Sequence, residues 1–228
     1  MLDGMSHIAA GEAAADQPSL FSPEFSGEFA HDLTGGLDVA VDTDFGTAEH
    51  IRLDDTSWIV HVHGWLAGDE TLMHHLMTHA PWEQRSRWMY NRMVQEPRLT
   101  AEYPVIAEAP HPVLHHIADA LSTRFGIGYS RLWMNWYRDN ADGAGWHADR
   151  PADKLAEAVI PVLSLGATRR FLIKPDSGGR STVIVTHGGD LVVMGGRCQK
   201  DYKHSVPKQQ TAAGARLSLN FSTPVPAP

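Results

Sequence analysis

Apolar and polar positions alternate through Ser57-Trp58-Ile59-Val60-His61-Val62-His63, and the β-branched content marks a strand there. Gly68-Asp69 then opens a segment in which Leu72, Leu76 and Met77 recur at helical spacing. Pro81 stops it, so a helix is predicted to about His79. A second helix is predicted from about Pro112 to Arg124. Proline suits its first turn, Leu114, Ile117 and Leu121 form one apolar stripe, and Gly126 ends it. Beyond that point the period shortens to two. Short strands broken by glycine-rich turns are predicted at about 130–138, 158–165, 168–174, 181–186, 190–194 and 214–222. Two helices followed by a run of strands indicate an α+β protein: a β-sandwich or barrel-like body with the helices packed on one face. Residues 1–50 are rich in Ala, Gly, Asp, Ser and Pro and show no sustained apolar period. They are expected to form an acidic, partly irregular extension ahead of one domain spanning 51–228.

With 228 residues, 43% hydrophobic and 20% charged, the chain can bury a core without disulfide staples. Its single cysteine, Cys198, excludes both an intramolecular disulfide and a cysteine-rich zinc site, and has no activating partner in sequence. No apolar run approaches the ~18–20 residues of a membrane span, and the N-terminus lacks the basic flank and apolar core of a secretory signal. The expectation is a cytoplasmic monomer with no membrane partner. The net charge of −8 is unevenly spread: residues 1–58 carry one basic against twelve acidic side chains, whereas 166–216 carry nine basic against three acidic. A local basic face can bind phosphates even on an acidic chain.

Fourteen histidines direct attention to metal chemistry. His147-Ala148-Asp149 puts two ligand-type side chains at i and i+2, on one face of a strand. His204 follows after several predicted strands. Two imidazoles and a carboxylate on one face of an octahedron leave three positions open, the facial triad of non-haem Fe(II) oxygenases. The pair spacing alone carries little weight in a chain so rich in His and Asp. Arg216 adds to it, standing on the final alternating strand Ala215-Arg216-Leu217-Ser218-Leu219-Asn220-Phe221. An inward-facing guanidinium there can hold the far carboxylate of a dicarboxylate such as 2-oxoglutarate by two parallel bonds. Asn135 and Tyr137, alternating on the strand that leads to the triad, can add polar contacts. His61, His63, His74, His75, His115 and His116 lack a third ligand in their predicted elements and are expected not to bind metal.

The ordered stretches Asn135-Trp136-Tyr137, Gly145-Trp146-His147-Ala148-Asp149, Ser164–Phe171, Gly188–Met194, His204-Ser205-Val206-Pro207 and Arg216-Leu217-Ser218-Leu219 resemble the AlkB family of Fe(II)/2-oxoglutarate dioxygenases. Pro81-Trp82 and Pro97–Tyr103 are similar to that family's substrate-side segment, and the resemblance covers about residues 57–222. It implies a double-stranded β-helix (jelly-roll) core with the N-terminal helices packed on one sheet. It implies Fe(II) held by His147, Asp149 and His204, and 2-oxoglutarate held by Arg216 with Asn135 and Tyr137 assisting. It also implies O₂-dependent oxidative removal of N-alkyl groups, of the 1-methyladenine and 3-methylcytosine type, from DNA or RNA, with release of formaldehyde, succinate and CO₂.

Departures from the family pattern fall on the cosubstrate and substrate sides. Ser218 and Ser222 occupy the last-strand positions where the family commonly carries Asn and a second Arg. The 104–111 connection is short and has no aromatic to stack on a damaged base. Candidate substrate contacts are therefore Trp146, Tyr103 and Trp65 for stacking, and Arg98, Arg169 and Arg170 for phosphates. Two alternatives stay open. One is the same chemistry on a small metabolite or a protein side chain, and the other is a non-catalytic jelly-roll module that binds metal.

Overall fold

Alternation at period two dictates two faces for each strand, and in the centre of the larger sheet both faces are covered. In the computed structural model, residues 36–223 are described, apart from 90 and 151. The chain runs β1 (Ala40–Val41), β2 (Ala48–Arg52), β3 (Ser57–Val62), β4 (Leu66–Ala67) and helix α1 (Asp69–His79). Next come the hairpin β5 (Ser86–Met89) and β6 (Arg92–Gln95), then β7 (Leu99–Tyr103) and helix α2 (Val113–Phe125). The remaining strands are β8 (Arg131–Tyr137), β9 (Ala144–His147), β10 (Ile160–Gly166), β11 (Arg169–Pro175), β12 (Thr182–Thr186) and β13 (Leu191–Gly196). A one-turn helix α3 (Cys198–Asp201) precedes β14 (Tyr202–Val206) and β15 (Arg216–Ser222).

The strands form a seven-stranded sheet in the order β2-β3-β13-β10-β15-β8-β7 and a four-stranded sheet in the order β12-β11-β14-β9. The last eight strands divide between the two, with β8, β10, β13 and β15 in the large sheet and β9, β11, β12 and β14 in the small one. This antiparallel, alternating distribution is the jelly-roll core. Three layers follow from side-chain parity. Leu163, Leu165, Leu191, Val193, Leu217, Leu219 and Phe221 point from the large sheet to α1 and α2, where they bury Leu72, Leu76, Leu114, Ile117 and Leu121. The opposite parity, Ile59, Tyr137, Ile160, Val162, Val192 and Met194, meets Phe171, Ile173, Ile184 and Val206 of the small sheet. Gly126 ends α2 with a left-handed backbone (φ 65°), a conformation that a side chain disfavours.

Both predicted helices and the predicted strands have counterparts within a few residues. The boundary expected at residue 50 does not coincide with the edge of the fold. It falls inside β2, whose residues 48–52 pair with β3, and β1 pairs with β4. The expected irregular extension over residues 1–35 lies outside the described residues. Strands β7 and β14 and the β5–β6 hairpin have no predicted counterpart, because their residues are mixed in polarity and gain strand structure from pairing partners. No helix among the described residues is long and apolar enough to cross a membrane.

Candidate active site

His147 is the last residue of β9 and lies directly opposite His204 of β14. Antiparallel pairing therefore brings two histidines 57 positions apart to one point, with ring centroids 4.3 Å apart. Asp149 lies beyond the end of β9, so strand alternation alone does not aim it. Gln199 of α3 does: its side-chain carbonyl accepts the Asp149 backbone N–H (2.8 Å), and its amide donates to Asp149 Oδ2 (3.0 Å). The other carboxylate oxygen then lies 3.5 Å from His204 Nε2 and 3.9 Å from His147 Nε2. His147 Nδ1–H donates to the Gly145 carbonyl (2.7 Å), which leaves Nε2 free as a ligand. Phe171 stacks on His204 with centroids 5.4 Å apart. Burial, then the neighbouring His204, holds His147 below its ordinary pKa. Burial works against ionisation of Asp149, but the charges of His204 and His147 and the hydrogen bonds from His204 and Gln199 outweigh it. Two imidazoles and an ionised carboxylate are a donor set that suits a divalent metal.

The triad opens into a cleft of about 920 Å³ between the two sheets. One wall is the polar parity of β8 and β15, in the register Arg216–Tyr137, Ser218–Asn135, Asn220–Trp133 and Ser222–Arg131. Arg216 is 1% exposed. Its Nη2 donates to Ser164 Oγ (2.8 Å), while Nε and Nη1 have no partner among the described residues. Burial pushes its pKa down to about 10, so it is still charged at neutral pH. A buried guanidinium with two unpartnered nitrogens fits a carboxylate. The Tyr137 ring lies 5.3 Å from that guanidinium. Asn135 is already committed: it accepts from Arg98 Nε (2.9 Å) and Trp133 Nε1 (3.2 Å) and donates to Ser218 Oγ (3.1 Å). Ser222 lines the same cleft at the outer end of β15.

The proposed substrate contacts divide. Trp146, 39% exposed, lines the cleft and faces Lys174 Nζ at 4.4 Å from its ring. Arg98 lines it too, paired with Glu96 (2.9 Å). Trp65 does not reach it. The side chain is fully buried in the core on the helix side, so it cannot stack on a base. Tyr103 is packed in the same core at 8% exposure. Arg170 is exposed on β11 and does not line the cleft. Arg169 is buried, and its guanidinium ties the carbonyls of Asp139, Asp142 and Pro207 together, which is a structural role. Gln199, Ser164 and the rim side chains Arg85, Arg87, Arg131 and Arg150 join the site without having been assigned to it from the sequence. The alternation of β8 marked Arg131, but nothing local marks Gln199.

Known proteins share parts of this sequence and this fold. Residues 68–221 match the model of the 2OG-Fe(II) oxygenase superfamily, and the chain belongs to that superfamily, whose cofactors are Fe(II) and 2-oxoglutarate. More narrowly, its sequence is similar to alkB-homologue dioxygenases. Human alpha-ketoglutarate-dependent dioxygenase alkB homolog 3 is 31% identical over 178 residues, covering 69% of this chain and 62% of that protein. Arabidopsis thaliana DNA oxidative demethylase ALKBH2 is 28% identical over 191 residues, 66% of this chain and 60% of that protein. The match thus spans about three fifths of these curated relatives' length. Among solved structures, OsALKBH1 shares the fold with a TM-score of 0.54 at 13% identity, over 72% of this chain and 97% of that one. A 2OG-Fe(II) oxygenase family oxidoreductase from Burkholderia pseudomallei gives a TM-score of 0.51 at 16% identity, over 72% and 84%.

Proposed function

We propose that this chain is an Fe(II)/2-oxoglutarate-dependent oxidative demethylase acting on N-alkylated bases of nucleic acid. The observation that carries the reading is the charged, half-unpartnered Arg216 sharing one cleft with the triad. His147, Asp149 and His204 hold the metal, and Gln199 keeps Asp149 in position. Arg216 takes the far carboxylate of the cosubstrate, with Tyr137 beneath it. Asn135, Ser218 and Ser222 line that wall, and Asn135 acts through its bonds to Arg98 and Ser218. With O₂, the cofactors when bound would supply an oxidant able to hydroxylate an N-alkyl carbon, whose product would release formaldehyde, with succinate and CO₂ formed from 2-oxoglutarate.

A base stacked in a duplex cannot enter a cleft between two sheets, so the substrate base is single-stranded or flipped out. Trp146 at the cleft mouth offers a stacking face. Arg85, Arg87, Arg131 and Arg150 line the same opening and suit a phosphate backbone. The β5–β6 hairpin adds Trp88 and Met93, directly opposite one another and 67% and 59% exposed. A second reading, the same chemistry on a small metabolite or a protein side chain, draws on the rim's ion pairs. Glu102 faces Arg85 (3.3 Å) and Arg131 (3.2 Å), and Glu96 faces Arg87 (3.4 Å) and Arg98, so part of the positive charge is already compensated.

The test is demethylation of a 3-methylcytosine-containing single-stranded oligonucleotide with Fe(II), 2-oxoglutarate and ascorbate, read by mass, with Asp149→Ala alongside. Loss of one methyl group with the intact protein alone supports the reading. Succinate formation without methyl loss moves the substrate to the second class. Neither product with metal-loaded protein leaves a binding module.

A further inference from the structure

A second group of metal-ligand side chains lies away from the cleft, where the end of β3 meets the turn between β12 and β13. His63 follows β3 directly, His187 follows β12, and Asp190 precedes β13. Pairing of β3 with β13 brings Asp190 to a histidine 127 positions earlier in the chain. Asp190 Oδ2 lies 3.4 Å from His187 Nδ1 and 3.6 Å from His63 Nδ1. The three ligand atoms all lie within 4.8 Å of one another. The triad in the cleft supplies a yardstick within the same protein, since its carboxylate–imidazole distances are 3.5 and 3.9 Å. The outer group is drawn together at least as closely, and none of its members lines the cleft.

The surroundings orient these atoms as a metal centre requires. Glu49 Oε1 lies 3.5 Å from the far nitrogen, Nε2, of His63, which turns Nδ1 toward Asp190. A carboxylate behind a ligating imidazole sets its tautomer and raises its basicity. Asp190 is buried and held by its neighbours: Oδ1 accepts the Gly64 N–H (2.9 Å), and Oδ2 accepts the His187 N–H (2.9 Å) and faces His61 Nε2 at 3.1 Å. His63 and His187 are exposed, so the open side faces solvent. Imidazole nitrogens with one carboxylate suit first-row divalent ions such as Zn²⁺ and Co²⁺, not the oxygen-only preference of Mg²⁺ or Ca²⁺.

We infer that His63, His187 and Asp190 form a second divalent transition-metal site, independent of the triad, that clips the β12–β13 turn to the end of β3. His63 lacks a third ligand within its own segment, and pairing of β3 with β13 supplies the carboxylate.

The experiment removes the triad first. Full-length Asp149→Ala/His204→Ala protein is titrated with Co²⁺ and, separately, Zn²⁺. Visible absorption of Co²⁺ and calorimetry report stoichiometry, and thermal denaturation reports stabilisation. One equivalent is expected to bind, with an absorption spectrum unaffected by 2-oxoglutarate and a raised thermal midpoint. His187→Ala or His63→Ala in that background is expected to weaken binding by about tenfold or more and to abolish the thermal shift. Both side chains are exposed, so these variants keep the fold. His115→Ala is the surface-histidine control. The inference is overturned if the triad-less protein binds no stoichiometric metal, or if His115→Ala weakens binding as much as His187→Ala does. In wild type, His187→Ala should leave 2-oxoglutarate turnover unchanged, which keeps this result separate from the proposed activity.

Discussion

Replacing Arg216 with methionine separates cosubstrate binding from structural support, because the two roles predict opposite effects. The guanidinium is 1% exposed, carries its charge, and spends only one of its nitrogens, on Ser164. Without cosubstrate it is a desolvated charge with two unpartnered nitrogens. Replacing such a charge with an apolar side chain of similar length is neutral or stabilising. With cosubstrate bound, the guanidinium is paired with a buried carboxylate, and truncating one partner of such a pair costs about 2–5 kcal/mol. At ~1.4 kcal/mol per tenfold, the KM for 2-oxoglutarate should rise by at least about 30-fold. The assay measures succinate formation against 2-oxoglutarate concentration, beside thermal melts with and without the cosubstrate. The expected pattern is an equal or higher midpoint for the cofactor-free variant, no further rise on adding 2-oxoglutarate, and the raised KM. A KM within twofold of wild type, together with a destabilised cofactor-free protein, would refute the reasoning and make Arg216 a structural residue.

Other perturbations test the fold that holds the site. Leu121→Ala removes a fully buried side chain from the α2–sheet interface and should cost about 2–5 kcal/mol in urea unfolding. Arg169→Met strips the donors from three backbone carbonyls and should cost about 3 kcal/mol or more, whereas Arg170→Ala at the exposed neighbouring position should stay within about 0.5 kcal/mol. Burial opposes ionisation of Asp54, but the N–H groups of Thr56 and Ser57 and the hydroxyls of Tyr202 and Thr56 outweigh it and hold the carboxyl at about 2. Its folded value lies below the unfolded one, so its contribution is present above about pH 4 and lost as the pH falls toward 2. The stability gap between wild type and Asp54→Asn, measured by denaturant midpoints from pH 7 to 2.5, should therefore close over the acid end of that range.

Much of the site was legible because strand alternation is a local property. Arg216, Ser218 and Ser222 on β15, and Asn135 and Tyr137 on β8, share one parity and line one cleft. The His147–Asp149 pair was visible as a spacing, although Asp149 proved to lie past the strand and to owe its aim to Gln199. The aromatics were legible only as aromatics. Trp146 faces the cleft, while Trp65 and Tyr103 face the helices, and no periodicity in their own segments distinguishes these fates.

What the sequence by itself determined is therefore what depends on neighbours within a few residues: two helices, the strand periods, the parity of each inward face and the chemistry available on it. The tertiary structure decided which inward faces meet. Register between β9 and β14 brought His147 to His204, and pairing of β3 with β13 brought His63 to Asp190. The reason is physical. A side chain's direction follows from its own backbone, but its partner follows from sheet order, and sheet order is set by burying two apolar faces at once, a condition that no single segment contains.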